Sequence, residues 1–162
     1  MNVSNTLKMA DTYSQIYIHI IFAVQKRQYL LQKAWQQEVY KYITEIISSK
    51  GQKLIAINGM EDHIHIFVGL KPDYKVSDLV RDIKNNSTKF INSKNWLPFN
   101  FAWQKGYGAF SYSQSQVEKV YYYILNQEIH HSKKSFKEEY LEVLRRFNVE
   151  YNEKYIFDEN DN

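Results

Sequence analysis

Apolar and polar residues alternate along Tyr13–Val24 (YSQIYIHIIFAV), which predicts a strand. Ile16, Ile18, Ile20 and Phe22 fall on one face, and His19, Ile21 and Ala23 on the other. Lys26 and Arg27 follow in a loop. From Leu31 to Lys50 the apolar positions Leu31, Trp35, Val39, Tyr42, Ile43 and Ile46 recur with the helical period, and Gly51 supplies a stop. Lys53–Asn58 and His63–Leu70 read as two further strands joined by the tight connection Gly59–Asp62. Lys71-Pro72-Asp73 then breaks the chain.

Val76–Ser93 has the pattern of a second long helix, with Leu79, Val80, Ile83 and Phe90 apolar. Phe101–Gln104 and Gly108–Ser113 are short extended segments that can pair as a hairpin through Lys105-Gly106-Tyr107. Ser113 or Ser115 can cap a third helix carrying YYYILNQEIHH, and Ser135–Arg146 is a fourth, amphipathic one. The order predicts an α+β fold: a ferredoxin-like split βαβ sandwich, its antiparallel sheet carrying helices on one face, plus C-terminal helices. No repeat or low-complexity linker divides the chain, so residues 1–162 are expected to form one domain, with 1–12 and 151–162 as tails.

Composition narrows the chemistry. The absence of cysteine removes disulfides, thiolate metal sites and thiol nucleophiles. The stretch MNVSNTLKMADTYSQ lacks the apolar core of a signal peptide and no apolar run approaches a membrane span, so a cytoplasmic protein is expected. Net charge is +3, but residues 151–162 hold four acids and one base, which leaves +6 on the rest. That balance is compatible with nucleic acid without requiring it. The 14 tyrosines serve either base stacking or packing.

In EDHIHIFVGL (Glu61–Leu70), His63 and His65 must project from the same strand face, either as chelating ligands or as a polar sheet face. Two imidazoles are too few for a stable site, so a third ligand has to come from elsewhere. In VEKVYYYILNQEIHH, Tyr123 and Gln127 are four apart and share a helix face, where an amide oxygen can ligate a hard cation beside a phenol. The alternative is three half-buried packing tyrosines. His130 and His131 end that helix, as auxiliary ligands, as phosphate contacts or simply at the favourable end of the helix dipole.

A His-x-His strand followed by a Tyr-x-x-x-Gln helix resembles the HUH endonucleases (histidine, hydrophobic residue, histidine). With WQKGYGAFS and SQVEKVYYYILNQEIHH, the chain is similar from Tyr13 to Phe157 to the single-tyrosine HUH transposases of the IS-two-hundred/six-hundred-and-five type. The resemblance implies a metal-dependent single-stranded DNA transposase. By position, Tyr123 matches the nucleophile, and His63, His65 and Gln127 match the ligands of a divalent metal, Mg²⁺ or Mn²⁺. A phenol with an ordinary pKa near ~10 needs such help to attack phosphorus. The product would be a 5′-phosphotyrosine, and the partners would be hairpin-containing single-stranded element ends and a second copy of the chain. In that homodimer the tyrosine helix of one subunit would complete the site of the other.

Lys26, Arg27 and Lys105 are the expected DNA phosphate contacts, with Arg81, Lys84 and Lys89 as further candidates. Trp103, Tyr107 and Phe110 are candidate stacking residues, although Trp103 also suits a core. Three other readings stay open: a non-catalytic nucleic-acid-binding module of the same fold, a zinc-dependent hydrolase, and a domesticated HUH endonuclease that processes chromosomal repeats.

Overall fold

The computed structural model describes residues 12–156. Its strands are β1 (Tyr17–Ala23), β2 (Lys53–Gly59), β3 (His63–Gly69) and β4 (Gly108–Tyr112), and its longer helices are α1 (Lys33–Ser49) and α2 (Val76–Ser93). After β4 come α3 (Val117–Leu125), α4 (Gln127–His131) and α5 (Phe136–Arg146). The strands form one antiparallel sheet in the order β2-β3-β1-β4. The predicted α+β sandwich is therefore the observed one, and the alternation along β1 and β3 sends each strand's residues to two differently occupied faces.

On one face, Ile20, Phe22, Ile64, Ile66 and Val68 pack with Val39, Ile43 and Ile47 of α1 and Leu79, Val80 and Ile83 of α2. Each large apolar side chain withdrawn from water there contributes roughly 1.5–3 kcal/mol, which makes this layer the main source of stability. The opposite face is covered too, by the C-terminal helices. Ile21, Ala23 and Phe110 meet Phe136, Tyr140, Val143 and Leu144 of α5. Ala56 and Phe67 meet Val120 and Ile124 of α3. His19, His63 and His65 share this second face and are buried beneath the C-terminal helices.

Three sequence expectations are corrected. Phe101–Gln104 does not pair with Gly108–Ser113. Trp103 bridges Val24, and the Gln104 N–H donates to Ala23 O at 2.9 Å, while β4 pairs with Tyr17–Ile21. Both segments thus line up on the edge of β1, whose unpaired backbone groups offer more bonds than a two-stranded hairpin can. The tyrosine helix is not continuous either: it breaks at Asn126 (φ −95°, ψ 27°) into α3 and α4. The Asn58 amide donates to the carbonyls of Ile124 (3.1 Å) and Leu125 (3.0 Å), giving the end of α3 the partners that further helix would have supplied. Finally, Phe110 is buried and is not available to stack on a base, while Trp103 takes the core reading, its indole N–H donating to Ser87 Oγ at 2.9 Å.

At Gly108 the Tyr140 side chain of α5 lies tight against β4. A Cβ there would lie 2.7 Å from a Phe110 ring carbon and 2.9 Å from the Tyr140 ring. Of the expected tails, residues 153–156 form a turn, and Tyr151 and Ile156 pack on the α5 cluster; residues 1–11 and 157–162 lie outside the described residues.

Candidate active site

His63 and His65 leave β3 on the second face, fully buried, and the structure brings Tyr123, Gln127, His131 and Glu139 to them. His63 is anchored through Nδ1, 2.6 Å from Asp62 Oδ1, and its Nε2 lies 3.2 Å from Gln127 Oε1. His65 Nε2 lies 2.9 Å from Glu139 Oε1. His131 Nε2 lies 3.0 Å from Gln127 Oε1 and 3.2 Å from Glu139 Oε1. The Tyr123 hydroxyl donates to Glu139 Oε2, and the Gln127 amide approaches the same oxygen at 3.4 Å. One carboxylate thus joins the phenol to the imidazole cluster.

Local structure accounts for each placement. The break at Asn126 re-aims the chain, so Gln127 enters as the first residue of α4 and is completely buried. Ser135 opens α5 with a capping box, its side chain accepting from the Glu138 N–H while Glu138 accepts from the Ser135 N–H. That fixes the helix so that Phe136, Glu139, Tyr140, Val143 and Leu144 form its inner stripe. Phe136 stacks on the His63 ring at 4.2 Å between centroids, and the His130 ring lies tilted against Tyr123 at 4.6 Å. Tyr122 is exposed and Tyr121 half-buried, whereas Tyr123 is aimed at the histidines.

The electrostatics follow from burial and from Glu139. Burial would raise the Glu139 carboxyl, but attraction to His65 and hydrogen bonds from His131 and His65 outweigh it, holding the group ionised. Burial lowers His65; burial also lowers His131, but its bond and attraction to Glu139, with the attraction of Asp62, together outweigh that and raise it. Burial and the adjacent negative carboxylate push the Tyr123 phenol above its ordinary value. A phenol in that state needs an additional positive charge before it becomes a useful nucleophile.

The donor set fits a divalent ion. One ligand atom from each of His63, His65, His131 and Glu139 lies within 4.8 Å of the others, and the Gln127 amide oxygen faces two of the imidazoles. Sequence reasoning missed Glu139. Its signal was present: a carboxylate in register with Phe136, Tyr140 and Val143 on the apolar stripe of a helix, a position that burial forces to find partners.

The expected DNA contacts fall in two separate clefts. Lys26 and Arg27 line an open cleft of about 350 Å³ with Tyr29, Asp62, Phe136 and Lys137, adjoining His63 through Asp62. Lys105 lies with Lys84, Lys89 and Trp103 in another of about 540 Å³. Lys84 donates to the carbonyls of Gln104 (2.7 Å), Lys105 (3.2 Å) and Gly106 (2.7 Å), and Arg81 pairs with Asp78 and Asp82. These two cations support the protein's own structure.

A four-stranded antiparallel sheet that presents a His-x-His pair to a tyrosine helix is the arrangement of the HUH class. The chain belongs to the IS200-like transposase family, whose model matches residues 12–127. Its fold is similar to that of a candidate transposase from Deinococcus radiodurans R1, with TM-score 0.60, 22% identity, and 74% of this chain and 96% of that one covered. It is also similar to a REP-associated tyrosine transposase bound to a REP hairpin, with TM-score 0.58, 17% identity, and 76% and 73% covered. No curated protein matches the sequence. The family match stops at Gln127, so His131 and Glu139 come from chain beyond it.

Proposed function

We propose that this transposase is a metal-dependent, single-stranded DNA transesterase with Tyr123 as nucleophile. The observation that carries the reading is the shared carboxylate: Glu139 accepts from the Tyr123 hydroxyl on one oxygen and faces His65 and His131 with the other. The nucleophile is thereby held beside the HUH pair.

In the proposed reaction the Tyr123 oxygen attacks the scissile phosphorus and the bond to the 3′-oxygen breaks. A 5′-phosphotyrosine and a free 3′-OH result, the phenolic proton being balanced by the one the 3′-oxygen gains. Because one phosphodiester replaces another, a second 3′-OH can reverse the step and join new ends without a nucleotide cofactor. His63, His65 and Gln127 would hold the divalent ion, Mn²⁺ or Mg²⁺, with His131 and Glu139 available beside them. When bound, such an ion supplies charge stabilisation to the phosphate and the leaving oxygen. Asp62 holds the His63 ring by its other nitrogen, at 2.6 Å, keeping Nε2 directed at the site.

Lys26 and Arg27 would take backbone phosphates entering the site, and Lys105 those passing over the second cleft. A hairpin-containing single strand is the proposed ligand, supported by the similar fold that is bound to a REP hairpin. The proposed assembly is a homodimer. In place of the expected exchange of tyrosine helices between subunits, the proposal builds each site within one chain, supported by the packing of Val120 and Ile124 of α3 on the sheet and by the approach of Tyr123 to His65 within the single chain. The test is incubation with single-stranded hairpin DNA and Mn²⁺, followed by denaturing electrophoresis. A covalent adduct that disappears in chelator supports the reading; hydrolysis without an adduct overturns it in favour of a hydrolase.

A further inference from the structure

His19 lies outside the motif and outside the ligand set, yet it is almost completely buried against it. Its Nε2 lies 2.8 Å from His65 Nδ1, the ring nitrogen turned away from the site. Strand register produces this contact. His65 pairs with Ile21 across β3 and β1, so His19, two residues along, sits diagonally beside it on the same face. Between two imidazole nitrogens only one proton can sit, so the pair has two arrangements. In the first, His19 donates to His65 Nδ1, and His65 must carry its own proton on Nε2, where Glu139 Oε1 accepts it at 2.9 Å. In the second, His65 carries its proton on Nδ1 and donates to His19 Nε2, His19 carries its own proton on Nδ1, and the His65 Nε2 lone pair is left free for a cation.

The first arrangement suits the protein without metal and the second suits ligation. His19 Nδ1 is buried with no hydrogen-bond partner among the described residues. Among the described residues no second, opposing bond locks the His19 tautomer, which leaves both arrangements open to the pair. His63 differs, because the Asp62 carboxylate can only accept and so fixes one tautomer permanently.

We propose that His19 is a positioning residue that selects the tautomer of His65, accepting from Nδ1 when Nε2 is used to bind the divalent ion. The inference rests on the metal reading above. Ligating imidazoles depend on an acceptor for their other N–H, and its loss weakens metal binding by about 10–100-fold. Without His19, the His65 Nδ1–H would be buried facing nothing that accepts it.

The experiment has two arms. Uniformly ¹⁵N-labelled protein is studied by long-range ¹H–¹⁵N correlation spectra with and without Zn²⁺, a diamagnetic probe, to locate the His65 proton. Mn²⁺ affinity is then measured by electron paramagnetic resonance for wild type, His19→Phe and His19→Gln. The expected result is that Zn²⁺ moves the His65 proton from Nε2 to Nδ1, that His19→Phe loses about 10–100-fold in Mn²⁺ affinity, and that His19→Gln, which keeps an acceptor, recovers most of it. A loaded wild-type protein with no proton on His65 Nδ1 overturns the proposal. So does a His19→Phe variant that binds Mn²⁺ like wild type. Wild-type protein that takes up neither ion would overturn the metal reading and this proposal with it.

Discussion

Glu139→Ala is the perturbation whose consequence the structure makes largest. The carboxylate is 2% exposed, faces His65 at 2.9 Å and His131 at 3.2 Å, and accepts from the Tyr123 hydroxyl. Removing one partner of a buried charged pair costs about 3–5 kcal/mol, because the group left behind has neither water nor a counter-charge. The lower end of that range, about 3 kcal/mol, is expected in the absence of metal. For a chain of this size about 1 kcal/mol corresponds to roughly 2–4 °C, so the melting temperature should fall by about 6–12 °C. Glu139→Gln keeps an acceptor and the shape, and should lose about half as much. Scanning calorimetry in chelator measures both. A Glu139→Ala protein that melts within about 1 °C of wild type would refute the claim that this carboxylate holds the cluster together.

Other outcomes follow from the same geometry. Tyr123→Phe should abolish the adduct, retain hairpin binding in a gel-shift assay, and cost about 1–2 kcal/mol in urea denaturation for the lost hydrogen bond. His63→Ala or His65→Ala should remove measurable Mn²⁺ binding in calorimetry, with Gln127→Ala milder because water can replace an amide oxygen. Lys26→Ala with Arg27→Ala should reduce the slope of log K against log salt by about 1.4 for single-stranded DNA, measured by fluorescence anisotropy. A mixture of Tyr123→Phe and His63→Ala proteins should give no adduct, since each chain builds its own site; adduct on the His63→Ala chain would show subunit exchange.

Much of the fold was readable because both strand faces and helix stripes are strongly patterned. The same alternation that placed Ile20 and Phe22 against α1 and α2 placed His63 and His65 together on the other side. The pairing partner of Gly108–Tyr112 was not readable, because a short extended segment carries no local record of which edge it will join. The Tyr123–Gln127 spacing survived a helix break at Asn126 that the sequence does not announce, since Asn58 stabilises it from a different strand. The stripe of α5 signals that Glu139 is buried, but its partners, like those of His19, were not readable for a related reason. Their roles depend on a helix and a strand register that converge only in three dimensions.

The central claim is that Tyr123, rather than either tyrosine before it, attacks phosphorus. Trapping the covalent product on single-stranded hairpin DNA with Mn²⁺, digesting it and mapping the nucleotide-bearing peptide by tandem mass spectrometry tests this directly. The account predicts a phosphodiester on Tyr123 alone, because Tyr122 is exposed and only Tyr123 reaches the His65–Glu139 cluster. A nucleotide found on Tyr121 or Tyr122, or no modified tyrosine in a reaction that cuts DNA, would contradict it.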